Sequence, residues 1–301
     1  MKRFLKLGMW AMLGVASLLG LVAGYVYFAL PRVAATTDDV HAATSGAELE
    51  RGRYLAENVA ICLDCHSSRD FGRFTGPLQP HTLGQGGEVF GHAQGFPGEL
   101  VAKNITPDQK TGVGEWSDAQ LARAITAGVT PDGRALFPFM NYPAYAQMCR
   151  SDLEALLGYL RSLPPIEHKV GDTQLYFLVN LLVRTMPKAA QLPESCPDAA
   201  ADSVKRGEYL VTLASCSGCH TRHEQGSPVA GQDFAGAKRF LRHRASWRTA
   251  PTSRPIWRRA SDVGARRSLC SASQRFGTSL RSAWSARDRP TRRCLGPSSP
   301  A

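Results

Sequence analysis

The chain has 301 residues, with 36 Lys and Arg against 25 Asp and Glu, a formal charge of +11, and a composition that is 43% hydrophobic with eight Cys and eight His. That apolar content excludes a wholly disordered chain, and one stretch long enough to cross a bilayer excludes a protein of many spans. The net charge does not argue for nucleic acid: residues 238–301 hold 16 basic side chains against two acids, whereas residues 1–237 hold 20 against 23.

Lys2, Arg3 and Lys6 precede Leu7 to Leu30, 24 residues without a charge, and Pro31-Arg32 ends the run. At about 1.5 Å per residue this covers a hydrocarbon core of about 30 Å, and a cleaved signal peptide has a shorter apolar region. Tyr25, Tyr27 and Phe28 fall where amphipathic rings favour the interface. Residues 1–32 are therefore expected to form a signal anchor in the inner (cytoplasmic) membrane, with the N-terminus in the cytoplasm and the body in the periplasm. Small residues at Ala34-Ala35 supply the competing reading of cleavage. Both readings export the body, where disulfides and covalent haem are permissible.

A helix is expected over Ala47 to Asn58, with Gly52 allowing close approach of a second helix. Ser117 and Gln120 frame a capped helix, Asp118 to Ala127. A further helix starts at Ser151-Asp152 and runs to about Leu163, with Leu153, Leu156, Leu157 and Leu160 at helical spacing. Ser151 and Glu154 suggest its capping box, Pro164-Pro165 its stop, and Asp152 and Glu154 its solvated face. Packed across the Gly52 and Tyr54 face, it would complete a small all-helical cage. Residues 166–203 read as a connector in which Leu175 to Val183 is apolar enough to pack on a domain or partner. No segment alternates as a substantial sheet would.

Cys62-Leu63-Asp64-Cys65-His66 and Cys216-Ser217-Gly218-Cys219-His220 are both C-x-x-C-H. In that motif two thiols attach to haem vinyl groups and the adjacent His ligates the iron. A thioredoxin-like dithiol would follow a strand, and a zinc site would need two such pairs close together. Cys62, Cys65, Cys216 and Cys219 are thus candidate attachment residues for two haem c groups, with His66 and His220 as candidate ligands. Arg51-Gly52-x-Tyr54-Leu55 and Arg206-Gly207-x-Tyr209-Leu210 precede the motifs, and Gly76-Pro77 and Ser227-Pro228 follow them, which points to duplication. Cys149 and Cys196 read equally as a disulfide or as unpaired thiols, and His81, His92 and His168 as edge residues.

Over roughly residues 45–237 the chain resembles membrane-associated dihaem or multihaem cytochromes c, and is similar to the cytochrome c subunits of periplasmic alcohol and gluconate dehydrogenases. The resemblance rests on both C-x-x-C-H motifs, on Asn104-Ile105-Thr106-Pro107-Asp108 with Thr111-Gly112-x-Gly114-x-Trp116-Ser117, and on Pro131-Asp132-Gly133-Arg134 to Tyr142. It implies that the Asn-Ile-Thr-Pro-Asp stretch lies by the haem edge and that a Met before a Pro-Tyr pair is the sixth ligand. The matching residue is Met140, followed by Asn141 where the family usually has Pro; Met148 ranks second. The implied fold is all-α: two tandem class I cytochrome c domains, residues 45–165 and an incomplete second at 204–237. The implied function is electron transfer from a periplasmic dehydrogenase to the respiratory chain. A thiosulfate dehydrogenase or peroxidase-like haem enzyme with an open second iron is the alternative.

The spacing from His66 to Met140 expects a second Met near position 294, where Cys294 stands, and no Met follows Met186. If the tail is genuine, His243 is a candidate substitute ligand, and His223 sits too near its motif to be one. Residues 238–301 read either as a basic tail for anionic lipid or an acidic partner, or as the product of a shifted reading frame.

Overall fold

The computed structural model describes residues 2–34, 39–224, 227–236, 239–241 and 247–249. His243, Cys294 and most of the basic segment 238–301 lie outside the described residues, so the expectations for them stay at the level of sequence.

The described chain is mostly helical. The apolar run forms α1 (Lys2–Ala29). Within it, Arg3–Ala29 is long and apolar enough to cross a membrane, and its side chains lie outside the protein interior. α2 (Gly46–Tyr54) opens on a capping box that sequence inspection missed: the Ser45 hydroxyl accepts the Glu48 N–H, and the Glu48 carboxylate accepts the Ser45 N–H. It continues into a π-helical turn, Leu55–Val59. A left-handed residue, Ile61, then turns the chain into α3 (Cys62–His66).

Short strands β1 (Val89–Phe90) and β2 (Gly98–Val101) pair antiparallel. α4 (Asp118–Ala127) has the predicted bounds and the predicted Ser117–Gln120 capping box, and Gly128 ends it in the left-handed region. α5 (Tyr142–Tyr145) is one turn.

α6 (Arg150–Ser162) starts one residue before the expected position. Its N-cap is Cys149, which forms a disulfide with Cys196, and the Ser151 hydroxyl contacts both sulfurs instead of capping the helix. The expected Ser151 capping box is therefore absent. α6 buries Leu153, Leu156, Leu157 and Leu160 as its spacing predicted. Met148, at 0% exposed, belongs to the same core.

α2 and α6 cross at Gly52. A Cβ there would stand 1.9 Å from the Ala155 carbonyl oxygen and 2.9 Å from the Tyr159 Cβ. Its sequence counterpart, Gly207, has nothing within 4 Å among the described residues. Gly52→Ala is accordingly expected to cost at least about 1–3 kcal/mol, the usual penalty for overpacking a tight contact. Gly207→Ala should be neutral or stabilising by up to about 1 kcal/mol through helix propensity. Urea unfolding of both variants checks the contrast; equal effects would contradict it.

The connector is fastened to what precedes it. β3 (Gln174–Leu175) extends the β1–β2 sheet, pairing Gly98 with Leu175 and Glu99 with Gln174. Lys103 Nζ binds the Gly171 carbonyl and Asp172, and Asn104 donates to the Ile166 carbonyl. α7 (Phe177–Arg184) follows. The chain then runs back to Cys196, with Arg150 bound to the Pro193 carbonyl and Glu194.

α8 (Ser203–Leu213), capped by the Asp202 carboxylate, leads through left-handed Ser215 to α9 (Cys216–His220). β4 (His223–Glu224) and β5 (Ser227–Pro228) pair antiparallel, as do β6 (Arg239–Leu241) and β7 (Trp247–Thr249). The strands are too short for alternation to have revealed them.

Candidate haem site

The two C-x-x-C-H segments share one local geometry. In each, a non-glycine residue in the left-handed region, Ile61 or Ser215, precedes a five-residue helix that carries both thiols and the His. The chain then makes a hairpin and returns to the motif. The Gln79 N–H binds the Ser68 carbonyl in the first segment, and the Val229 N–H binds the Arg222 carbonyl in the second. The Gly86 N–H donates to the His66 carbonyl at 2.9 Å, and the Gly236 N–H to the His220 carbonyl at 2.6 Å. A buried hydroxyl just after each His accepts a backbone N–H from the returning loop: Ser67 from Gly84 at 3.0 Å, Thr221 from Phe234 at 3.1 Å. The structural match aligns Leu78 with Pro228, since the bridge partners are Arg69 and Leu78 in one and His223 and Pro228 in the other. It shifts the expected Gly76-Pro77 alignment by one position.

In the first segment the His66 Nδ1 lies 2.6 Å from the Lys103 carbonyl oxygen. A carbonyl can only accept, so Nδ1 carries the proton and Nε2 keeps the lone pair a metal needs. Burial holds the imidazole below its usual pKa against the opposing pull of that carbonyl, which keeps the ring neutral. The contact comes from Lys103, the residue immediately before the Asn-Ile-Thr-Pro-Asp stretch, whose backbone is pinned. The Asn104 side chain accepts from the Thr106 N–H and hydroxyl, and Asp108 accepts from the Thr111 N–H and hydroxyl. Gly112 is required where the loop folds back, since a Cβ would meet the Thr106 carbonyl oxygen at 2.2 Å.

Cys62 and Cys65 form no disulfide. Burial raises both thiols, Cys62 to about 12 with the Cys65 thiol adding to the rise, so neither is a thiolate nucleophile of the redox-enzyme kind. Cys62, Leu78, Leu83, Ile105, Trp116, Met140 and Tyr145 pack half-buried against the core. The Tyr145 hydroxyl donates to the Ala60 carbonyl at 2.9 Å. Met140 is outside any helix, between the turn at residues 131–134 and α5. Next to it, the Asn141 Nδ2 and the Tyr142 hydroxyl are buried without a hydrogen-bond partner among the described residues. Two orphaned polar atoms beside a half-buried thioether suit the rim of a bound polar-edged group, because leaving each one unpaired costs about 1–3 kcal/mol. Two thiols, a neutral imidazole, an apolar wall and a thioether together fit a c-type haem.

In the second segment Cys216 is half-buried and Cys219 exposed. The His223 Nδ1 lies 2.9 Å from the Thr221 carbonyl, so this ring is engaged within its own hairpin. His81 is exposed, His92 meets the Tyr176 hydroxyl, and His168 Nδ1 lies 3.0 Å from the Gln85 carbonyl, so all three sit at edges as expected.

Sequence reasoning missed Asp152. It was assigned to the solvated face of α6, yet it is 4% exposed. Its carboxylate takes a bidentate pair from Arg51 at 2.8 and 2.7 Å, a hydrogen bond from the Tyr209 hydroxyl at 2.9 Å, and Arg206 at 3.8 Å. Arg51 and Arg206 are the matching residues of the two Arg-Gly-x-Tyr-Leu stretches, and each stacks on its own Tyr, Tyr54 at 5.3 Å and Tyr209 at 5.2 Å. One carboxylate thus joins both motif-bearing regions. The only sequence signal was the repeat of Arg at the same place.

No protein-family model matches the chain. The chain is 32% identical over 217 residues, 68% of its length, to the gluconate 2-dehydrogenase cytochrome c subunit of Pantoea cypripedii. It is 29% identical over 212 residues, 66% of its length, to the fructose dehydrogenase cytochrome subunit of Gluconobacter japonicus. A diheme cytochrome c-type protein of Cereibacter sphaeroides is 28% identical over 205 residues, 67% of the chain and 66% of the relative. The matched region spans less than half of the two dehydrogenase subunits, 43% and 41% of their lengths. Motif, local geometry and these likenesses agree that the chain is similar to the cytochrome c subunits of dehydrogenases and to a dihaem cytochrome c.

Proposed function

We propose that the chain is a dihaem c-type cytochrome, anchored by α1 in the inner membrane with its body in the periplasm, that takes electrons from a periplasmic dehydrogenase and passes them to a respiratory-chain acceptor. The observation that carries this reading is the repeated backbone around two C-x-x-C-H helices, each closed by an N–H on its His carbonyl. Covalent haem would supply a one-electron couple; the chain's own residues fix where it sits. Cys62, Cys65, Cys216 and Cys219 are the attachment residues, His66 and His220 the proximal ligands, and Met140 the sixth ligand in the first region. Residues 45–165 and 204–237 would form the two cytochrome units. The relatives' printed names, cytochrome c subunits of gluconate, fructose and alcohol dehydrogenases, support a dehydrogenase as donor.

A thioether ligand closes the iron and raises its potential. Met140→Ala is therefore expected to leave the haem count at two per chain while making one haem per chain newly able to bind carbon monoxide. Met140→His should restore closure and lower that haem's potential by on the order of a hundred millivolts or more, within the roughly 0.8 V that axial ligands span. Pyridine haemochrome assay, carbon monoxide difference spectra and a redox titration read these outcomes. Unchanged carbon monoxide binding in Met140→Ala would remove Met140 from the ligand set.

A further inference from the structure

α7 carries an apolar face that the fold leaves uncovered. Phe177, Leu178 and Leu182 are 64–71% exposed, whereas Val183 on the opposite side is 2% exposed; Tyr176 before the helix and Met186 after it are 54% and 45% exposed. Five large apolar side chains on an eight-residue helix and its flanks exceed what scattered surface hydrophobics explain. The helix is also fixed in place. The Arg184 Nη1 donates to the Tyr27 carbonyl at 2.9 Å and to the Leu30 carbonyl at 3.2 Å, and its guanidinium stacks 4.6 Å over the Tyr27 ring. These carbonyls belong to the C-terminal end of α1, where the last turn lacks intrahelical donors. Arg32 serves the same end, donating to the Ala29 carbonyl and lying over the Tyr25 ring. The contacts therefore hold α7 at the level where α1 stops being apolar.

We infer that α7 is a membrane-surface helix, its exposed face seated among the headgroups and upper acyl chains of the same bilayer that α1 enters. The inference rests on the reading of α1 as a membrane span. The occupant is a phospholipid surface because the face is continuous with the aromatic end of α1, where Tyr25, Tyr27 and Phe28 are 45–87% exposed. Charge agrees: between Thr173 and Pro193 there are two basic residues, Arg184 and Lys188, and no acid. With Arg184 holding the end of α1, Lys188 is left beside an apolar face that carries no acid, which suits an interfacial helix on anionic lipid. The haem-bearing body is thus held to the membrane at two points, one through the bilayer and one along it.

The test uses the full haem-loaded chain in nanodiscs of phosphatidylcholine and phosphatidylglycerol containing a lipid with a diazirine near the top of its acyl chain. After illumination and trypsin digestion, mass spectrometry should find lipid adducts on α1 peptides and on the peptide of residues 170–184. Leu178→Asp combined with Leu182→Asp, both exposed positions, should cut the α7 adducts at least fivefold and leave those on α1 and the haem spectrum unchanged. Labelling of α1 without α7 would overturn the surface-helix inference alone. Labelling of neither would overturn the reading of α1 as a span and this inference with it. Undiminished α7 labelling in the double variant would show that the exposed face is not what meets the lipid.

Discussion

Replacing Cys62 and Cys65 together by Ser is expected to halve the covalent haem, from two per chain to one, with Cys216→Ser plus Cys219→Ser giving the same count. Ser cannot form the thioether, and a haem held only by its axial ligands washes out on denaturation, when those ligands are lost. The effect should be confined to one region because the first core does not depend on these thiols. Leu153, Leu156 and Leu157 are fully buried between α2 and α6, and the Cys149–Cys196 disulfide fastens the N-terminal end of α6. A pyridine haemochrome assay on denatured, gel-filtered protein gives the number directly. Two haems remaining in either double variant would refute the assignment of that motif.

The second large effect belongs to Asp152. Its carboxylate, with a side chain 6% exposed, neutralises Arg51 and also receives Tyr209 and Arg206. Burial leaves water little part in solvating these groups. Asp152→Ala would strand the Arg51 guanidinium and leave the buried Tyr209 hydroxyl with only the Cys149 N–H and sulfur beside it. Breaking a buried pair in this way costs about 3–5 kcal/mol. Because the lost contacts include those to α8, the expected result is earlier unfolding in guanidinium together with faster proteolysis of the connector. Glu194→Ala, which removes only an exposed partner of Arg150, should shift stability by less than about 1 kcal/mol. A loss in Asp152→Ala no greater than in Glu194→Ala would show that the carboxylate is not the joint.

The helices were legible where one local rule decided them. Ser117 and Gln120 placed α4 to the residue, leucine spacing placed α6, and Gly52 announced the α2–α6 crossing. The haem motif was equally plain, because the thiols and His lie within five residues. What failed depended on partners far along the chain. Asp152 meets Arg51 across 101 positions and Tyr209 across 57, so its burial could not be seen from a helix face alone. Ser151 lost its capping role because Cys149, tied to Cys196 47 positions away, already occupies the N-cap. The Lys103 carbonyl that fixes His66 is a main-chain atom, which no choice of side chain advertises. The connector seemed a linker because its attachments are two-residue strands and side-chain bonds to backbone.

The π-helical turn at Leu55–Val59 sets the rotation of α2 relative to the first motif. Tyr54 precedes Cys62 by eight positions and Tyr209 precedes Cys216 by seven. In a regular α-helix that single residue would rotate everything upstream by about 100° relative to the motif, swinging Gly52 away from Ala155. A π-turn takes in one extra residue without advancing the helix by a full step, so Arg51, Gly52 and Tyr54 keep their azimuth. Length and phase are thereby uncoupled at the doorway to the first motif. Deleting one residue from this turn should be tolerated better than deleting one from α8, where no such slack exists.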